Sequence, residues 1–290
     1  VEGSSAQKLP VTVTDVEGNK VTIKSTSRIL ALDLYGTLSR TLIGLGLGDK
    51  IVGRTVSSTE KQLHDRPVVT ENGHVLNVEA VAGLKPSVII ADRSVGPKEA
   101  LDQLRKSGIP VVLVDPHRSV GSTPQLIRTI AEAVGKPDAG EALVKRTQEQ
   151  IDQAKKQIAA WKPAKPMRVA FLYVRGNAGV FFILGSENGA SELIQGVGAD
   201  DVASDKGITT LVPANAESLV SINPDAIFVM RDGLASTGGM KGLLARAGVA
   251  NTTAGRKQRV ISIPDGISLS FGPQTGEVLT AVAKALYGVK

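Results

Sequence analysis

Two stretches decide the fold: Asn77-Val-Glu79-Ala-Val-Ala-Gly-Leu-Lys-Pro86-Ser-Val-Ile89-Ile and Asn215-Ala-Glu217-Ser-Leu-Val-Ser-Ile-Asn-Pro224-Asp-Ala-Ile227-Phe. They align without gaps at an offset of 138, and Asn, Glu, Pro and Ile coincide. Each reads as a short helix, a proline turn and a buried strand. An internal repeat of this kind predicts two similar lobes.

Outward from the first copy, strand-like and helix-like patterns alternate. Residues 11–14 and 21–24 flank the turn Val16-Glu17-Gly18-Asn19 and predict a β-hairpin. Arg28–Leu34, Ile51–Val56, Ser87–Ala91 and Val111–Val114 read as strands; Thr37–Leu47, Asn77–Leu84 and Lys98–Ser107 read as helices. Strands separated by helices of about ten residues imply parallel sheets with crossover helices.

Between the copies, residues 138–161 contain no proline, and Leu143, Ile151, Ala154, Ile158 and Trp161 recur at helical spacing. Lys162-Pro163-Ala164-Lys165-Pro166 stops that helix, and the strand Met167–Val174 follows. The predicted fold class is therefore α/β: two Rossmann-like lobes with parallel-rich sheets, joined by one long helix, with a ligand cleft between them. The expected boundaries are 1–137 for the N-terminal lobe, 138–162 for the linking helix and 163–290 for the C-terminal lobe.

The chain has 290 residues, 42% hydrophobic and 21% charged, which excludes wholesale disorder and leaves room for two domains. No apolar run approaches the roughly 18 residues of a membrane-spanning helix. Net charge is +6, but the basic residues are scattered and aromatics make up 3%, so nucleic acid is not expected. There is no cysteine, which removes disulfides, thiol catalysis and cysteine-based zinc sites. Residues 1–10 read as an unstructured lead-in.

Most catalytic motifs fail. Gly44-Leu-Gly46-Leu-Gly48 ends a helix instead of opening one, so it reads as a C-terminal turn and not a dinucleotide loop. Ser58-Thr-Glu-Lys61 lacks the companion elements of a serine acyl-transferase. Asp200-Asp201 reads as a solvated pair, and no Ser/His/Asp order gives a convincing triad.

His64 falls in a charged loop. His117 follows a strand and His74 precedes the first repeat helix; either can be a ligand or an ordinary loop histidine. Tyr173 and Arg175 end a strand two residues apart, on one face. A guanidinium beside a phenol favours the phenolate, the form that binds ferric iron. A tyrosine and an arginine merely decorating a strand end is the competing reading.

Taken together, these blocks resemble the helical-backbone class of ABC-transporter substrate-binding proteins, which carry vitamin B12, ferric siderophores and haem. The likeness covers nearly the whole chain, including Leu101-Asp-Gln-Leu-Arg-Lys-Ser-Gly-Ile-Pro-Val-Val-Leu-Val-Asp115. Glu71-Asn-Gly-His74 and Tyr173-Val-Arg175-Gly further resemble the haem-uptake lipoproteins of corynebacteria and their relatives. That resemblance implies haem held by His74 and Tyr173 as axial iron ligands, with Arg175 hydrogen-bonded to the tyrosine. It also implies that Glu79 and Glu217 dock on arginines of an ABC permease. Arg54, Arg93 and Arg231 are candidates for the haem propionates.

The implied protein is no enzyme. It captures haem outside the cytoplasm and delivers it to an ABC importer for iron acquisition, held at the cell membrane as a lipoprotein whose anchor cysteine is absent from this sequence. A siderophore or corrinoid carrier of the same class is the main alternative, and a haem enzyme a distant one.

Overall fold

The computed structural model describes residues 6–290. Within them the chain forms two compact units. One holds the chain through Glu149 together with Ser270–Gln274; the other holds Gln150–Leu269 and Thr275–Lys290.

In the first unit, β1 (Val11–Thr14) and β2 (Lys20–Ile23) form the expected antiparallel hairpin, with Val11 opposite Ile23. There follow β3 (Ile29–Leu32), α1 (Thr37–Gly44), β4 (Ile51–Gly53), β5 (Thr70–Glu71), β6 (Val75–Leu76), α2 (Val78–Gly83), β7 (Val88–Ala91), α3 (Lys98–Lys106), β8 (Val111–Leu113) and α4 (Thr123–Ala133). The sheet order is β4-β3-β7-β8, every pairing parallel. Its strands are apolar throughout because helices cover both faces. Ile29 and Ala31 pack with Leu38, Leu42, Ile127 and Leu143, while Leu30 and Leu32 pack on the opposite face with Val81 and Leu101.

Helix α5 (Pro137–Trp161) is the long helix read from the sequence, opened by a proline whose missing N–H costs nothing at that position. Part of the lead-in is ordered. Lys8 N donates to Gly135 O at 2.8 Å, and Gln7 Nε2 donates to Thr26 Oγ1 at 2.6 Å. The first five residues of that expectation lie outside the described residues.

The second unit comprises the end of α5, β9 (Arg168–Arg175), β10 (Val180–Leu184), α6 (Ala190–Gly196), β11 (Asp200–Asp201), α7 (Val202–Asp205), β12 (Leu211–Pro213), α8 (Ala216–Ile222), β13 (Ala226–Met230), α9 (Arg231–Ser236), α10 (Gly239–Leu244), α11 (Thr253–Arg256), β14 (Val260–Ile263) and α12 (Thr275–Tyr287). Strands β9, β13 and β14 run parallel, and β11 pairs parallel with the start of β9. β10 and β12 add an antiparallel edge that the alternating pattern did not anticipate. Phe171 and Phe228 meet edge-to-face in its core, centroids 6.5 Å apart.

The repeat holds down to individual hydrogen bonds. Asn77 caps α2 by accepting from Ala80 N, and Asn215 caps α8 by accepting from Ser218 N, both at 2.9 Å. Ser87 N donates to Arg28 O and Asp225 N to Arg168 O, at 2.8 and 2.7 Å. The side chains of Arg28 and Arg168 reach back to the last carbonyls of the repeat helices, Leu84 O and Ile222 O. These caps satisfy helix ends that would otherwise leave polar groups orphaned.

Candidate functional site

In parallel α/β sheets, ligand-binding residues collect beyond the carboxyl ends of the strands. Each unit carries candidate residues there.

In the first unit the carboxyl ends of β3 and β7 present Asp33 and Asp92, both fully buried. Arg118 spans them, its Nη2 3.2 Å from Asp33 Oδ2 and 2.6 Å from Asp92 Oδ2. Its Nε donates to Thr37 Oγ1 at 3.0 Å, and Thr37 Oγ1 in turn donates to Ser270 O at 2.5 Å. Burial, then repulsion from Asp33, pushes the Asp92 carboxyl up to about 6 despite the opposing pull of Arg118. Sequence reasoning missed this cluster because its members lie 26 to 85 residues apart.

Leu34 follows β3, Val56 follows β4, and Val68 neighbours Arg54 through an isolated bridge; all three are more than a third exposed.

His74 lies in the turn of the β5–β6 hairpin, exposed to solvent. Asn72 and Gly73 both take left-handed backbone angles, which turns the chain tightly and leaves the imidazole at the tip. The turn is anchored from behind: Gly96 N donates to His74 O at 2.8 Å and Leu76 N to Gly96 O at 2.7 Å. His64 and His117 are both exposed, and His117 N is held by Asp115 Oδ1 at 2.8 Å.

In the second unit Tyr173 and Arg175 share one face of β9, as their spacing requires, and both are partly exposed. Arg175 Cζ lies 4.9 Å from the centroid of the Tyr173 ring. The contact is a cation–π stack. The guanidinium's hydrogen bonds go elsewhere: Nη2 donates to Asp265 Oδ2 at 2.7 Å and Nη1 to Val174 O at 3.1 Å. Among the described residues, the contact of this guanidinium with the phenol ring is the stack.

Glu79 and Glu217 occupy the same place in the first turns of α2 and α8, both exposed. Of the propionate candidates, Arg93 is committed to Glu17 at 2.7 Å and Asp102 at 3.0 Å. Arg54 donates to Arg66 O at 3.2 Å, and Arg231 is exposed at the start of α9. Asp201, read as solvated, is instead buried. Its carboxylate accepts from Ser191 Oγ and from Ala203 N, capping α7.

The family model described as periplasmic binding protein matches residues 34–266. The chain belongs to that family. Such proteins bind substrates for ABC transporters and are not enzymes.

Among solved structures, the chain is similar to the heme binding protein HmuT: 50% identical, TM-score 0.96, covering 99% of this chain and 93% of that one. HmuT has also been solved with single alanine substitutions at a histidine, a tyrosine and an arginine. The uncharacterized ABC transporter substrate-binding lipoprotein YvrC of Bacillus subtilis is 27% identical over 96% of this chain and 86% of its own. A cobalamin-binding protein of Halobacterium salinarum is 25% identical over 99% of this chain and 76% of its own. Among the described residues no helix is long and apolar enough to cross a membrane.

Proposed function

We propose that this protein captures haem outside the cytoplasm and hands it to an ABC-type importer, with Tyr173 and His74 supplying axial ligands to the iron. One observation carries the reading. In HmuT the substituted histidine precedes the substituted tyrosine by 99 positions and the arginine follows that tyrosine by two; His74, Tyr173 and Arg175 keep both spacings.

The chemistry of the residues supports it. A phenolate is a hard anionic ligand for ferric iron, and a stacked guanidinium offsets the charge it carries. The exposed imidazole of His74 can bind iron without first breaking an internal hydrogen bond. Leu34, Val56 and Val68 offer apolar surface to the macrocycle. No bond of the haem is made or broken. The protein binds, orients and releases. The two glutamates at the repeated helix starts are the proposed docking points for the permease, and a lipid anchor upstream of Val1 is part of the same proposal.

Absorption spectra test the reading. Haemin added to the wild-type protein is expected to give a shifted Soret band, altered differently by Tyr173→Ala and by His74→Ala. Free-haemin absorbance in the wild type, with a spectral change on adding cyanocobalamin, would transfer the protein to the corrinoid carriers.

A further inference from the structure

The carboxyl ends of three adjacent parallel strands, β9, β13 and β14, build a seat for one side chain, Arg175. Met230 closes β13, with its sulfur 3.7 Å from Arg175 Nη2. Asp265 follows β14 by two residues and accepts from Nη2 at 2.7 Å. The other oxygen of Asp265 is held in turn, accepting from Asp232 N at 2.8 Å. Opposite, α9 approaches so closely that a Cβ at Gly233 would lie 2.3 Å from Arg175 Nη1. That Cβ would also lie 2.5 Å from the backbone Val174 O, so only glycine lets α9 come this close.

We propose that Asp265 is a positioning residue for iron ligation: it holds Arg175 on the face of the Tyr173 ring and so sets the strength of the tyrosine–iron bond. This rests on the haem reading above. An arginine side chain loses rotamer freedom when fixed in one pose, so a partner that fixes it beforehand spares that loss on binding. Nη2 has a charged acceptor in Asp265, and that acceptor is fixed by a backbone N–H. The pose therefore exists before haem arrives. Asp265 also accepts from Asp232 N at the start of α9, so its influence on ligation depends on Arg175 only to the extent that it vanishes when Arg175 is absent.

That dependence gives a double-mutant test. Haem loss to excess apomyoglobin is followed for the wild type, Arg175→Ala, Asp265→Ala, Asp265→Asn and the Arg175→Ala/Asp265→Ala double variant. A ten-fold faster dissociation corresponds to about 1.4 kcal/mol of lost tyrosine–iron stabilisation. Arg175→Ala and Asp265→Ala are each expected to show that acceleration, and the double variant is expected to be no faster than Arg175→Ala. Asp265→Asn, which keeps an acceptor oxygen, is expected to lie between the wild type and Asp265→Ala, with a shifted ferric–phenolate charge-transfer band.

A wild-type rate and band in both Asp265 variants overturns the proposal. So does a double variant whose acceleration is the product of the two singles, because that marks an independent structural effect. If Asp265→Ala does not fold by circular dichroism, the rate and band of Asp265→Asn decide alone. A wild-type protein that fails to shift the haemin Soret band overturns the haem reading itself, and is recognised before any variant is compared.

Discussion

Nη2 of Arg118 lies 2.6 Å from Oδ2 of Asp92, and both side chains are buried. Asp33 shares the same guanidinium nitrogen at 3.2 Å, so one cation serves two carboxylates. The consequence is a folded state in which Asp92 holds its proton up to about pH 6, against an ordinary value of 3.8. Between those values the folded protein binds more protons here than the unfolded chain does. Stability from this group therefore falls as pH rises through the window, and its penalty is fully present above it. The urea midpoint at pH 4 minus that at pH 6.5 should be smaller in Asp92→Asn than in the wild type. An unchanged gap would mean that Asp92 is ionised throughout.

Removing the cation instead of a carboxylate has a larger effect. Arg118→Ala leaves two buried carboxylates facing each other and strips Thr37 Oγ1 of a donor. Breaking a buried ion pair from one side typically costs about 3–5 kcal/mol. Denaturant unfolding of Arg118→Ala should show a loss of that size, whereas Arg128→Ala, which breaks a surface pair with Glu141, should change stability far less.

How far the sequence revealed this architecture depends on what each element's signal was. The repeat, the long helix and the parallel strands were legible because buried apolar runs such as Val88–Ala91 and the uninterrupted periodicity to Trp161 are local patterns. The antiparallel edge was not: the turn Gly176-Asn-Ala-Gly179 fits a hairpin, but a strand that pairs antiparallel beside parallel neighbours is recognised only in the assembled sheet. Tyr173 and Arg175 were readable as neighbours from strand geometry. Their stacking, and the role of Asp265 ninety residues on, required the alignment of β9, β13 and β14. Asp201 was misread for the same reason: burial is a property of the fold, and two adjacent aspartates look identical in sequence whether one caps a helix or both face water.

The repeat also permits a test in which equivalent substitutions act with opposite sign. Lys85 and Asn223, each immediately before the turn proline, take positive φ angles of 49° and 35°. Lys85 is exposed, so Lys85→Gly relieves backbone strain without losing a contact, and a gain of about 0.5–1 kcal/mol is expected. Asn223 also accepts from Thr253 N at 2.8 Å, so Asn223→Gly loses that hydrogen bond along with the strain. A net loss of about 1 kcal/mol is expected there. Equal shifts in melting temperature at the two positions would show that the side chain of Asn223 contributes nothing.

Glu79 and Glu217 allow binding to be separated from delivery. Both are exposed in the first turns of repeat-related helices, where a negative charge is favoured by the helix dipole but is not required for capping, a role filled by Asn77 and Asn215. Charge reversal should therefore leave each unit folded and the haem spectrum unchanged. If the pair engages arginines on a permease, Glu79→Arg or Glu217→Arg replaces attraction with like-charge repulsion, worth several kcal/mol across an interface. Haem uptake by cells expressing either variant at normal levels should fall several-fold, and further in the double variant. Undiminished uptake in the double variant would remove both glutamates from the delivery step while leaving the assignment of the iron ligands untouched.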